Sequence, residues 1–264
     1  MESLIKKYQD LKLNEVVNFE KFNLIAISHH STKIEGSTLT ELEVQILLDN
    51  GLTPKGKPIN DTFMVQDHFK AIQFVINEAK KQKPISVELI KKINSLVLAN
   101  TGTVYNTIFG EIDSTKGMFR KGNVTAGTGS YFPNYDKVET LTNKVVEKIN
   151  EIMKNNLSIQ DKINLSFDAH FNLVSVHPFY DGNGRTSRLL MNYIQAYYDL
   201  PLAIINSQDR DIYFQALIDT REKDDINYFR NFMKEQYGNH LKTEIEKFQN
   251  DINPSKNRGF HFLF

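Results

Sequence analysis

His177-Pro178-Phe179-Tyr180-Asp181-Gly182-Asn183-Gly184-Arg185-Thr186-Ser187-Arg188 is the stretch on which the reading of this 264-residue chain turns. Upstream of it Ile163, Phe167, Phe171 and Val174 recur at steps of four, four and three, the spacing of a buried helical stripe. That helix must end near His177, because Pro178 disfavours the α conformation in the residue before it. A new helix starts around Gly184 and carries Leu189, Leu190, Tyr193 and Tyr197 inward. Backbone N–H groups at such a helix start, with Gly182 and Gly184 allowing close approach, form an anion site. Arg185 and Arg188 lie on one side of its first turns and can reach a polyphosphate bound there. Asp181 offers a hard oxygen ligand beside the phosphates, which suits Mg²⁺. His177, with an ordinary pKa near 6.5, can take a proton from an incoming hydroxyl.

Outward from this stretch the chain reads as mostly α. It has only 7 prolines and 13 glycines, and long stretches place apolar residues at helical spacing. A first helix is expected from about Asn18 to Gly36, with Phe19, Phe22, Ile25 and Ala26 on one face and Gly36 as its stop. Thr40-Glu41-Leu42-Glu43 reads as a capping box opening a helix through Leu48. Further helices are expected at Asp61–Lys81, Ser86–Asn100, from Asp136, after Ser158, at Asp209–Arg221 and at Asp225–Gln249. Gly117–Tyr135, with four glycines among β-formers, reads as a short hairpin or flap. Residues 1–100 are expected to form an N-terminal helical region, 101–232 a core, and 233–264 the end of the last helix and a tail, with no linker demanding independent domains.

Composition narrows the function. Lys+Arg and Asp+Glu are both 32, so the net charge is zero, which speaks against a nucleic-acid partner and a polybasic membrane binder. With no cysteine, disulfides, zinc-thiolate sites, iron–sulfur clusters and thiol nucleophiles are excluded. The N-terminus lacks the apolar stretch of a signal peptide, and the longest apolar run is Leu200–Ile205. A cytoplasmic protein with no membrane partner is the expectation.

The twelve residues from His177 to Arg188 resemble the signature of the Fic (filamentation induced by cAMP) family, His-Pro-Phe-x-(Asp/Glu)-Gly-Asn-Gly-Arg-x-x-Arg, at every defined position. The resemblance implies a mostly helical core with a short hairpin flap over the active site. It also implies transfer of AMP from ATP and Mg²⁺ to a Ser, Thr or Tyr hydroxyl of a target protein, with release of pyrophosphate. His177 is then the base and Asp181 the metal ligand. Gly182, Asn183 and Gly184 cradle the phosphates, Arg185 and Arg188 hold them, and Phe179 anchors the loop. The related Doc kinases carry Lys where this chain has Gly184 and transfer the γ-phosphate instead.

Ser31-Thr32-Lys33-Ile34-Glu35-Gly36 resembles the family's inhibitory motif, (Ser/Thr)-x-x-x-Glu-(Gly/Asn). This implies that Glu35 pairs with Arg188 and keeps the γ-phosphate from its productive place; a bidentate pair would take most from the triphosphate. In some members the same glutamate assists removal of AMP. Gly117–Pro133 resembles the flap that pairs with the target, with Ala126, Gly127, Thr128 and Gly129 bordering the nucleotide. Tyr213-Phe214 resembles the aromatic pair near the adenine, with Phe214 lacking a hydroxyl.

Each residue also has a plainer reading. A lone His177 would end a helix and bond a carbonyl, the arginines would be solvated charges, Glu35 a surface carboxylate, and Tyr213 and Phe214 core. His29-His30, and His170 with His177, make weak metal sets, because adjacent histidines diverge on a helix and a seven-residue spacing lacks carboxylate support. A non-catalytic nucleotide-binding regulator, a toxin–antitoxin-type interaction protein and a transferase using another nucleotide donor stay open. Self-modification is expected, and a homodimer stays open.

Overall fold

The computed structural model describes residues 1–12, 19–126 and 130–252. In chain order its elements are α1 (Glu2–Asp10), α2 (Phe19–Ile34), α3 (Glu41–Asn50), α4 (Ile59–Ala79), α5 (Val87–Val97), β1 (Val104–Thr107), β2 (Gly110–Asp113), β3 (Thr125–Ala126), β4 (Ser130–Tyr131), α6 (Val138–Met153), α7 (Ile159–Val176), α8 (Asn183–Tyr197), α9 (Arg210–Lys223) and α10 (Asn227–Ile252). The fold is mostly α with small antiparallel hairpins. The expected starts of the first helix at Asn18, and the tail from 253, lie outside the described residues.

Local chemistry places the helix ends. The Thr40 hydroxyl accepts from the Glu43 N–H while the Glu43 carboxylate accepts from the Thr40 N–H, a reciprocal cap worth about 1 kcal/mol, and Gly51 ends α3 in the left-handed region. At α5 and α7 the hydroxyls of Ser86 and Ser158 accept from the N–H groups of Leu89 and Asp161, the single-armed form of the cap.

α8 is the axis of the molecule. Every residue from Arg185 to Gln195 is buried, so the helix is enclosed all round. On one side Leu189, Leu190, Tyr193 and Ile194 join Ile72 and Val75 of α4, Ile90 and Val97 of α5, and Leu165 and Leu173 of α7. On the other, Met191 joins Ile163, Phe167 and Val174 of α7, Tyr213 and Leu217 of α9, and Phe229, Met233 and Tyr237 of α10. The polar residues of α8 are carried into this interior by the same enclosure. Buried charge must be paired or kept for a ligand.

Two features differ from the sequence expectation. Phe22, placed on a buried face with Ile25 and Ala26, is 50% exposed, and the face that packs inward carries Leu24, Ile25 and Ile27. Besides the expected hairpin of β3 and β4, residues 104–113 form a second one, β1 with β2 in register from Val104↔Asp113 to Thr107↔Gly110. Its turn, Ile108-Phe109, contains no turn-forming residue, while Gly110 supplies the positive φ of 98°. Tyr105 of this hairpin stacks on Tyr180 of the signature loop, with centroids 4.5 Å apart. No helix of the described residues is long and apolar enough to cross a membrane.

Candidate active site

α7 delivers His177 in a left-handed conformation, φ 51° and ψ 59°, with its N–H on the Leu173 carbonyl. A β-carbon in that region costs roughly 1–2 kcal/mol, so the surroundings must hold it. Arg120 does much of this. Only 1% exposed, it donates from Nε to the His177 carbonyl at 2.7 Å, from Nη1 to the Gly122 carbonyl and from Nη2 to the Pro133 carbonyl, while its N–H donates to the Pro178 carbonyl. One side chain thus ties both ends of the flap to the turn carrying His177. Burial pushes the His177 pKa down to about 4; Arg120 and Arg221 push the same way, against the Val174 carbonyl and Glu35. The imidazole is therefore neutral at physiological pH. Its Nδ1 is buried, which leaves Nε2 to accept a proton.

The loop after His177 is braced from within. The Asn183 side chain accepts from the Phe179 N–H and donates to the Phe179 carbonyl, both at 2.9 Å, so Asn183 faces the loop with its side chain and the site with its N–H. Phe179 is 1% exposed and packs in the core beside Phe119. Asn94 of α5 donates to the Asp181 carbonyl and to the Thr186 hydroxyl. Asn183→Ala is expected to lower the unfolding free energy by about 1–3 kcal/mol, since it strands two buried backbone groups. Urea titration checks this; a loss under about 0.5 kcal/mol would mean that the loop holds itself.

At the start of α8, Gly182 caps with φ 75° and no side-chain hydrogen bond. Its carbonyl receives the Thr186 N–H, so the N–H groups of Asn183, Gly184 and Arg185 head the helix. Arg185 is 3% exposed; its Nη2 is 3.4 Å from Asp181 Oδ1, and its Nε and Nη1 are buried without a partner. Buried guanidinium donors without a partner, beside a helix start with no side-chain cap, are the kind of groups an anion requires. The Asp181 side chain is 52% exposed, and its Oδ1 accepts from the Gly182 N–H. The half-exposed carboxylate at the rim fits a cation that is otherwise held by phosphates and water. Among the described residues no group of three His, Asp or Glu converges on a metal position.

Glu35 stands over this cradle. Its Oε1 lies 2.6 Å from Arg188 Nη2, and a Cβ placed at Gly184 would be 2.5 Å from the same oxygen. Only glycine at 184 admits the carboxylate there. The contact uses one oxygen rather than the bidentate geometry considered from sequence. The rest of the guanidinium is taken by Ser31, whose hydroxyl accepts from Nε and whose carbonyl accepts from Nη2, and by the Tyr213 hydroxyl 3.5 Å from Nη1. Arg210 Nε holds the Ile34 carbonyl at the end of α2. Burial works to raise the Glu35 pKa, but Arg188, Arg185 and Arg210 outweigh it, and the carboxyl sits below its usual range.

Tyr213 is 1% exposed, its hydroxyl lying between Arg188 and His170 Nε2; Phe214 is partly buried with the Arg210 guanidinium 4.7 Å over its ring. Ala126 pairs with Ser130 in the flap, while Gly127, Thr128 and Gly129 lie outside the described residues. His30 bonds Ser207 and His170 bonds Tyr213, so neither joins His177. Sequence reasoning missed Arg120, Asn94 and the fully buried Asp67, whose carboxylate accepts from Asn100 in the vicinity of Arg185. All three act across long sequence separations, which no local motif records.

The Fic/DOC family model matches residues 84–195, from just before α5 through most of α8. The chain is 30% identical over 190 residues to "Protein adenylyltransferase Fic" of Drosophila grimshawi and to that of Drosophila mojavensis, covering 72% of this chain and 36% and 35% of those proteins. It spans about a third of the length of these relatives. A Fic domain containing signaling protein from Bacteroides thetaiotaomicron shares the fold with a TM-score of 0.81 at 21% identity, covering 94% of this chain and 96% of that one. Fic-1 (residues 134–508) from C. elegans does so with a TM-score of 0.69 at 22% identity, covering 96% and 73%. The matched segment holds the whole His177–Arg188 loop, its frame is the same helical fold, and the chain belongs to the Fic/DOC family.

Proposed function

We propose that this protein is an adenylyltransferase that moves AMP from ATP to a Ser, Thr or Tyr hydroxyl of a target protein, and that Glu35 restrains it. The observation that carries the reading is the pairing of a neutral, buried His177 with an anion cradle whose Arg185 donors are open. The N–H groups heading α8 and Arg185 hold the triphosphate, and Arg188 joins them when Glu35 withdraws. The hydroxyl oxygen bonds to the α-phosphorus as its proton passes to His177 Nε2, and the bond to pyrophosphate breaks. Asp181 is the residue that would hold Mg²⁺, whose charge offsets that of the phosphates. Tyr213 acts through Arg188, and Phe214 borders the adenine. The flap also receives the target. Adenylyltransferase relatives favour AMP as the transferred group.

Intact-mass analysis of the Glu35→Gly protein incubated with ATP and Mg²⁺ tests this reading. Gain of an adenylyl group on a hydroxyl, on itself or an added target, with pyrophosphate released, supports it. Gain of a phosphoryl group, or no gain on any protein, contradicts it.

The pH dependence has a definite sign. A His177 pKa of about 4 lies below the ordinary 6.5, so the base stays unprotonated as pH falls through the usual histidine range. Removing Glu35, which raises that pKa, moves it further down. The rate of the Glu35→Gly protein is expected to hold level between about pH 8 and pH 5, without the acid limb near 6.5 of a solvated histidine. A half-maximal rate at about pH 6.5 would contradict a buried base.

A further inference from the structure

The flap reaches His177 through one aromatic ring. Phe132, directly after β4, stacks on the imidazole with centroids 3.9 Å apart and planes inclined by 21°. Arg221, in the last turn of α9, sets its guanidinium carbon 5.7 Å from the centroid of the same phenyl ring, within cation–π range. Arg221 Nε is buried and has no hydrogen-bond partner. A buried donor left without a partner on a partly exposed arginine is not explained by packing alone.

We propose that Arg221 and Phe132 are positioning residues for His177, a guanidinium–phenyl–imidazole stack that joins α9, the flap and the end of α7 and fixes both the plane and the charge state of the base. The inference rests on His177 as the base of the proposed transfer. Phe132 restricts rotation of an imidazole whose backbone is already strained, so that Nε2 faces the incoming hydroxyl. Arg221 disfavours a second positive charge close by. The charged groups acting on His177 are Arg120 from the flap and Arg221 from α9, which oppose protonation, and Glu35 from α2, which favours it; burial is the largest influence and the Val174 carbonyl of α7 works against it. Because Arg120 also braces the backbone, Arg221 is the cation that can be changed while the turn is left intact.

Histidine ring NMR of the full chain, titrated from pH 8 downward with circular dichroism to confirm folding, tests the stack without requiring turnover. Arg221→Gln is expected to raise the His177 pKa by about one unit, and Arg221→Lys to return it close to the parent. In the Glu35→Gly background Phe132→Leu should lower kcat about tenfold with KM for ATP nearly unchanged, and Phe132→Tyr should restore it. A His177 pKa in Arg221→Gln within about 0.3 unit of the parent overturns the role of Arg221, and equal kcat in Phe132→Leu overturns that of Phe132. If the Glu35→Gly protein transfers nothing from ATP, the proposed reaction fails, while the titration still decides the stack.

Discussion

His177→Ala, made in the Glu35→Gly protein, is expected to lower AMP transfer by about 10²- to 10⁴-fold, with ATP affinity by calorimetry within about threefold of the starting protein. The asymmetry follows from the layout of the site. The imidazole sits at the end of α7, whereas the phosphate donors sit on the next element, at the start of α8. Those donors are held by Asn183, Asn94 and burial, none of which depends on the His177 ring. Arg120 grips the backbone carbonyl of residue 177, which alanine keeps. The left-handed backbone is tolerated no better by alanine than by histidine, so folding should be little changed. What is lost is the acceptor for the hydroxyl proton. A rate within about threefold of that of the Glu35→Gly protein would move the base to another residue.

Glu35→Gly is expected to raise transfer by at least about tenfold. The contact that ATP would regain at Arg188 is charge-assisted and is worth roughly 1.5–3 kcal/mol, where about 1.4 kcal/mol is a factor of ten. Repulsion between carboxylate and phosphate adds in the same direction. Because the Glu35 carboxyl titrates below its usual range, it remains charged throughout the neutral region, and the restraint holds there. The pair exists above the ordinary carboxylate pKa and is lost as pH falls through the lower folded value. Glu35→Gln, which keeps the length and loses the charge, should fall between parent and Glu35→Gly. Adding Arg188→Ala to Glu35→Gly should cancel the gain, because Arg188 is the donor set free.

Much of this was legible in the sequence because the chemistry is local. Pro178 after an apolar stripe marked the end of α7, and the two glycines before a run of buried residues marked the start of α8. Glu35 before Gly36 placed a carboxylate at a helix end, although only the fold shows that Gly184 leaves room for it. The hidden parts are those made by residues far apart. Ser31 meets Arg188 across 157 residues through both its hydroxyl and its carbonyl, and Arg120 meets His177 across 57 through a backbone carbonyl that any residue could supply. The hairpin at 104–113 turns on Ile108-Phe109, a pair without turn chemistry, and is held by Tyr105 on Tyr180 and Phe109 against Tyr135. Phe22 shows the converse, an apolar residue at helical spacing that faces outward because α2 packs through its neighbouring positions.

The most direct test of the restraint is the initial rate of incorporation from ATP labelled at the α-phosphate, measured at saturating ATP for the parent and Glu35→Gly proteins side by side. A Glu35→Gly rate at least about tenfold above the parent, with label from the γ-phosphate left unincorporated, is the predicted result. Equal rates in the two proteins would show that the carboxylate over the cradle leaves catalysis untouched, and would contradict the account.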